Sequence, residues 1–164
     1  MDNRLDEMIT RVRELAAVGD AAAVGDAGTA LQRICMYLKR EVPHYDWVGY
    51  YLAYPPERLL ILGPFEGAPT EHLRIPYGTG ICGQAAVRGD WFVVDDVTAE
   101  DNYLACSIET KAEVVVPVTH GGIFVGELDI DSHTRNPFSG FDDELLAAVV
   151  EATAPLVAEI MPRA

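Results

Sequence analysis

Apolar residues recur three or four apart at the start of the chain, at Leu5, Met8, Ile9, Val12 and Leu15, with charged residues between them. This spacing predicts an amphipathic helix that ends near Gly19-Asp20. The pentapeptide AAVGD occurs at 16–20 and again at 22–26, too brief an echo for a repeat architecture, and reads as a connection. Leu31, Ile34, Cys35, Leu38 and Val42 repeat the helical spacing and predict a second helix, ended before Pro43 because the residue preceding a proline is pushed out of the helical region.

From Tyr45 the pattern changes to aromatic and β-branched runs punctuated by Gly and Pro. YDWVGYYLAY and RLLILGPF flank PPE as a hairpin, and LRIP is a short extended piece. Gly78-Thr-Gly-Ile-Cys-Gly83 leads into a helix beginning near Cys82. WFVVDDV is another strand, residues 98–111 are irregular, and EVVVPVTH and IFVGELDID flank Gly121-Gly122 as a two-residue hairpin. A closing helix starts at Ser139, capped with Asp142. Leu145, Leu146, Val149, Val150, Leu156, Val157 and Ile160 form its buried face, and Pro155 is expected to kink it. Terminal helices around hairpin-linked strands define an α+β fold, with helices on one face of an antiparallel sheet and loops building a pocket on the other.

At 164 residues, 49% hydrophobic and 23% charged, the chain has the size and composition of one globular domain, 1–164. It divides into N-terminal helices at 1–43, sheet and pocket loops at 44–131, and a C-terminal helix at 139–161. A net charge of −14 argues against nucleic acid and anionic membrane surfaces as partners. No apolar run has the length of a membrane span and the acidic N-terminus is unlike a signal peptide, so the cytoplasm is the expected compartment. Three cysteines without framework spacing point to catalysis or metal binding rather than a disulfide scaffold.

Cys106 lies in the irregular stretch NYLACSIE, and Cys82 at a predicted helix start, where free N–H groups favour a thiolate; each is either a reactive thiol or a small packing residue. Cys35 falls on the apolar face of the second helix and reads as core. Glu113 opens a strand, and Asp129 and Asp131 share one strand face while Leu128 and Ile130 take the other. Like charges on one face call for a cation, a shared proton or a donor-rich ligand, unless they are simply solvated. Trp47 and Tyr51 share a face of the first strand, as an aromatic wall or as core. His44, His120 and His133 read as surface or turn residues.

The segments WVGYYL, LGPFEG, RIPYGTGICGQAA, YLACS, EVVVPV and GELDIDS, from about Trp47 to Phe141, resemble in order the GAF-type domains of the free methionine-(R)-sulfoxide reductase family. The resemblance implies a GAF-like central antiparallel sheet and thiol-dependent reduction of free L-methionine-(R)-sulfoxide, with no bound cofactor and no metal. Cys106 matches the family's nucleophile and Cys82 its middle cysteine, while the family's first cysteine falls on His72. The resolving disulfide would then be Cys82–Cys106, recycled by thioredoxin as external reductant. The substrate-pocket acids fall on Glu113, Asp129 and Asp131, and the aromatic contacts on Trp47 and Tyr51. Two other readings stand beside this one: a non-catalytic, small-molecule-binding GAF sensor module, and a metal site of His72, Cys82 and Cys106. The terminal helices offer surfaces for a possible homodimer.

Overall fold

A computed structural model of the chain describes residues 3–17, 26–104 and 109–163. Helix α1, Asn3–Ala16, buries Leu5, Met8 and Val12. Its predicted end at Gly19-Asp20 and most of the AAVGD echo lie outside the described residues. Helix α2, Ala27–Glu41, is capped by Asp26, whose carboxylate accepts the Thr29 N–H at 2.8 Å, and closes with Val42 N–H on Leu38 O at 3.0 Å, just before Pro43. Its buried stripe contains Cys35, fully covered, with Sγ 3.7 Å from Pro64 O; burial pushes that thiol's pKa far up.

Six strands follow: β1 Trp47–Tyr54, β2 Leu59–Glu66, β3 Arg74–Pro76, β4 Phe92–Val94, β5 Ala112–His120 and β6 Ile123–Ser132. Their spatial order is β3-β2-β1-β6-β5-β4, and every neighbouring pair is antiparallel. Pro55–Glu57 turns between β1 and β2 as a single 3-10 turn. Gly121 and Gly122, with φ of 60° and 77°, supply the left-handed pair that a two-residue hairpin between β5 and β6 requires. Because Val118 pairs with Gly126 but Thr119 with Phe124, Val125 is an extra residue in β6; this bulge lets it join the helix-side core.

Helix α3, Gly80–Arg88, precedes β4, and helix α4, Gly140–Ile160, closes the chain. The strand expected over WFVVDDV is only Phe92–Val94. Asp96 turns away to accept Thr98 N–H at 3.0 Å and Thr98 Oγ at 2.7 Å, and this local bonding competes with the ladder. Pro155 does not end α4: both it and Glu151, whose carbonyl loses its intrahelical donor, are exposed, so water can take the lost bond. Val150 and Ile160 are only partly covered.

Helices α1, α2 and α4 cover one sheet face, where Leu31, Ile34 and Leu38 of α2 meet Val48, Tyr50, Leu128 and Ile130, together with Leu145, Leu146 and Val149 of α4. The opposite face carries a smaller cluster of Trp47, Tyr51, Ile75, Ile81, Cys82, Ala85 and Val115, so that side is built from α3 as well as from loops. Among the described residues no helix is long and apolar enough to cross a membrane.

The start of α4 is tied to the loop before β1 through Asp142, which is 1% exposed. Its carboxylate accepts from Tyr45 Oη at 2.6 Å and Ser139 N–H at 2.8 Å, and His44 Nε2 lies at 2.7 Å. Burial pushes the Asp142 pKa up, but the bonds from His44, Tyr45 and Ser139 outweigh it and hold the group below its ordinary value. D142A should therefore cost about 3 kcal/mol in urea unfolding at neutral pH. Because the folded pKa is depressed, the contribution is complete above the ordinary value of 3.8 and disappears as pH falls through the lowered one, so the cost of D142A should shrink in acid.

Candidate active site

Alternation along β6 turns Leu128 and Ile130 into the helix-side core and Glu127, Asp129 and Asp131 to the other face, where they are 0%, 0% and 1% exposed. Pairing with β1 sets Trp47 beside Asp131, Gly49 beside Asp129 and Tyr51 beside Glu127. Pairing with β5 sets Glu113 beside Asp131, Val115 beside Asp129 and Pro117 beside Glu127. The four acids therefore occupy one face of β6 and its neighbour β5. This burial excludes the solvated alternative for Glu113, Asp129 and Asp131.

Trp47 and Tyr51 both line this face. Their rings stack at 6.3 Å, and Trp47 stacks on Phe65 at 5.4 Å. The stack depends on Gly49 between them, because a Cβ there would stand 2.4 Å from the Trp47 ring and 2.7 Å from Phe65 Cβ. Trp47 Nε1 donates to Ala68 O at 3.0 Å and Tyr51 Oη to His72 O at 2.9 Å, so the connection between β2 and β3 holds the aromatic wall in place.

Cys82 is the third residue of α3, which begins two residues earlier than the sequence suggests. It is 4% exposed and its Sγ lies 3.9 Å from Glu113 Oε2, so the thiol faces an acid, which works against the thiolate expected at a helix start. Asn102 clamps this helix start: its Oδ1 accepts Gly80 N–H at 2.9 Å and its Nδ2 donates to Gly78 O at 2.8 Å. Gln84 Nε2 adds bonds to Gly80 O and Asn102 O, both at 2.9 Å. Cys106, two residues beyond Leu104, lies outside the described residues.

Burial pushes the Glu113 carboxyl pKa well up, and the negative charges of Asp129 and Asp131 push it further. Asp129 is also raised by burial, but the neighbouring Glu113 and Cys82 donors offset part of the rise, although no well-aligned hydrogen bond to its oxygens forms among the described residues. Glu127 is raised well above its ordinary value, first by burial and then by Asp129. Ligand-type atoms of Cys82, Glu113 and Asp129 lie within 4.8 Å of one another, and His72 is not among them. At that spacing two buried acids and a thiol share protons: Glu113 is the group placed to be a neutral donor and Asp129 the easier one to ionise.

The site residues divide between two hollows. A cavity of about 10 Å³, room for about one water, is lined by Tyr51, His72, Cys82, Leu104, Glu113 and Asp129. A second, of about 400 Å³, opens beside Trp47 and Asp131 and is bordered by Lys39, Glu66, Glu109 and His133. Sequence reasoning overlooked Glu127, although it stands two residues before Asp129 in the same alternation. It placed His133 at the surface, and nothing in its spacing linked it to Trp47. The backbone N–H of His133 donates to Asp46 Oδ2 at 2.7 Å, which brings it to this rim.

The GAF domain family model matches residues 2–159. Protein YtsP of Bacillus subtilis is 36% identical over 122 residues, 74% of each chain. The type II free methionine-R-sulfoxide reductase of Thermoplasma acidophilum superposes with a TM-score of 0.78 at 38% identity, over 84% of this chain and 96% of that one. The free methionine-R-sulfoxide reductase of Neisseria meningitidis, solved with its substrate, superposes with a TM-score of 0.83 at 30% identity, over 94% and 90%. The chain belongs to the GAF-domain proteins, in the family of the free methionine-R-sulfoxide reductases.

A buried acid with a raised pKa binds a proton in the folded state that it loses on unfolding at neutral pH, so it contributes stability at low pH that is lost as pH rises. E113Q removes that dependence. Its Tm should exceed that of the wild type by roughly a few degrees at pH 8 and by less at pH 5, measured by thermal unfolding.

Proposed function

We propose that the chain reduces free L-methionine-(R)-sulfoxide to methionine, with Cys106 as nucleophile, Cys82 as resolving thiol and thioredoxin as reductant. The observation that carries this reading is the buried Cys82–Glu113–Asp129 cluster behind the Trp47–Tyr51 wall, in a chain belonging to this reductase family. Leu104 lines the small cavity and Glu109 borders the large one. Family position, not observed geometry, assigns the role of Cys106.

The Cys106 sulfur attacks the sulfoxide sulfur while neutral Glu113 gives its proton to the sulfoxide oxygen. The oxygen passes to Cys106 as a sulfenic acid, the S–O bond of the substrate breaks, the proton of the Cys106 thiol restores neutral Glu113, and methionine leaves. The Cys82 sulfur then attacks the sulfenic sulfur, its proton leaves with the hydroxyl as water, and a disulfide forms. A dithiol such as thioredoxin reduces that disulfide and is itself oxidised. The net change is sulfoxide plus dithiol giving thioether, disulfide and water. Asp129 and Asp131 hold the ammonium of a free amino acid, and the aromatic wall takes its side chain.

Two acids beside a thiol raise its pKa, but a neutral Glu113 carries no charge to do so, which eases the conflict between the donor and the nucleophile.

Turnover is followed as NADPH oxidation in a thioredoxin system with the (R) and (S) sulfoxides and with a peptide-bound sulfoxide. Activity should be confined to the free (R) form. C106S should abolish it, and C82S should keep single-turnover sulfenic acid formation while losing recycling by thioredoxin. Binding of the sulfoxide without turnover, with dithiothreitol also tried, would overturn the enzyme in favour of a sensor module. N102A, which frees the start of α3, should lower kcat/KM by about tenfold with the fold intact by circular dichroism. Sedimentation of the same samples tests pairing of two copies through the helical face.

A further inference from the structure

A free amino acid carries a carboxylate as well as an ammonium, and the mechanism above places only the ammonium. The two groups share one carbon, so they bind side by side. Asp129 and Asp131, which take the ammonium, border different hollows: Asp129 the small one and Asp131 the large one. The small hollow has room for about one water and is bounded by Glu113 as well as Asp129, so it is too small for a carboxylate. The carboxylate therefore belongs in the hollow of about 400 Å³ beside Asp131.

Four acids border that hollow, Asp46, Glu66, Glu109 and Asp131, and they would repel an anion unless a cation met it. Among the described residues the bordering side chains that can carry positive charge are His133 and Lys39. His133 is already held between two of the acids, with Nδ1 3.7 Å from an oxygen of Asp46 and 3.7 Å from one of Glu109. Lys39, half-buried near the end of α2, makes no ion pair among the described residues. The nearby acids have other donors: Asp46 accepts the His133 N–H at 2.7 Å, and Glu66 accepts from Gln32 Nε2 at 3.3 Å. A second wall of the hollow is Thr110, two residues before β5. It is 5% exposed, and its hydroxyl has no hydrogen-bond partner among the described residues. A buried hydroxyl left in this way calls for a physical reason, and an acceptor in the hollow supplies one.

We propose that Lys39 and Thr110 receive the α-carboxylate of the substrate and so restrict the site to free amino acids. Lys39 supplies the charge from α2, Thr110 supplies a hydrogen bond from the start of β5, and Asp131 takes the ammonium beside them. The hollow then recognises a zwitterion, with each charge of the ligand meeting its opposite. An amide at the same carbon fills the same space but leaves the Lys39 ammonium unanswered, so discrimination comes from a missing charge rather than from bulk.

The inference rests on the reductase reading, and the experiment separates the two. kcat and KM are measured for the free (R)-sulfoxide and for its primary amide with the full-length wild type, K39M, K39R, T110V and T110S. A pH of about 6.5 keeps the α-ammonium of both compounds protonated. The wild type should favour the free acid, and K39M should raise its KM about tenfold or more, with kcat and the KM of the amide nearly unchanged. K39R and T110S should keep most of the preference, and T110V should lose part of it. A wild-type KM in K39M, or equal losses for acid and amide, would overturn the proposal while the reductase stands. Calorimetric titration with L-methionine and with its amide reads the same preference as affinity and needs no turnover. If no form turns over the sulfoxide, the reductase reading fails. The subsite is then upheld if K39M loses affinity for the acid and not for the amide, and overturned if the two change alike or the wild type binds neither.

Discussion

The arrangement of this molecule depends on the burial of like charges. Glu113, Asp129, Asp131 and Glu127 are held on one face of β5 and β6, where burial raises Glu113, Asp129 and Glu127 and the charges of neighbouring acids raise Glu113 and Glu127 further. Such a face would open to solvent if the other side of the sheet were not firmly fixed. The opposite side provides that anchor. Leu128 and Ile130, alternating with the acids on the same strand, sit in the larger core beneath α2 and α4, so the acids cannot swing outward without lifting the strand off its helices. The stability of the helix side offsets the strain of the acid side.

This division also explains why the site is built from so many segments. The sheet supplies the acids, the β2–β3 connection fixes the aromatic rings by accepting from Trp47 and Tyr51, and Asn102 fixes the start of α3 and with it Cys82. Each contact is modest alone. Together they keep polar groups from four parts of the chain in a space where water would otherwise screen them.

Much of this was legible in the sequence because it depends on period. Helical spacing gave α2 its buried face, the Gly-Gly pair gave the β5–β6 hairpin, and strand alternation put Asp129 and Asp131 on the side opposite Leu128. The same alternation reaches Glu127, whose place in the pattern was visible once its neighbours were. What period cannot convey is contact between distant segments. The Asn102 clamp on Gly78 and Gly80, the Asp142 bonds to Tyr45 and His44, and the closing of Cys82 on Glu113 join residues 22 to 98 positions apart or lie across different elements. Local competition also misled: Asp96 reads as part of a strand, yet its own hydrogen bonds to Thr98 turn the chain aside.

Cys35 and Cys82 are separated by the thickness of the sheet. Cys35 is sealed among the helix-side hydrophobics with its sulfur against Pro64 O, and Cys82 belongs to the acid side. The sheet therefore acts as an insulator between two thiol compartments. A sulfur oxidised on the Cys82 side finds no competing partner in Cys35 unless the sheet itself comes apart, so disulfide scrambling becomes a sign of unfolding rather than a hazard of turnover.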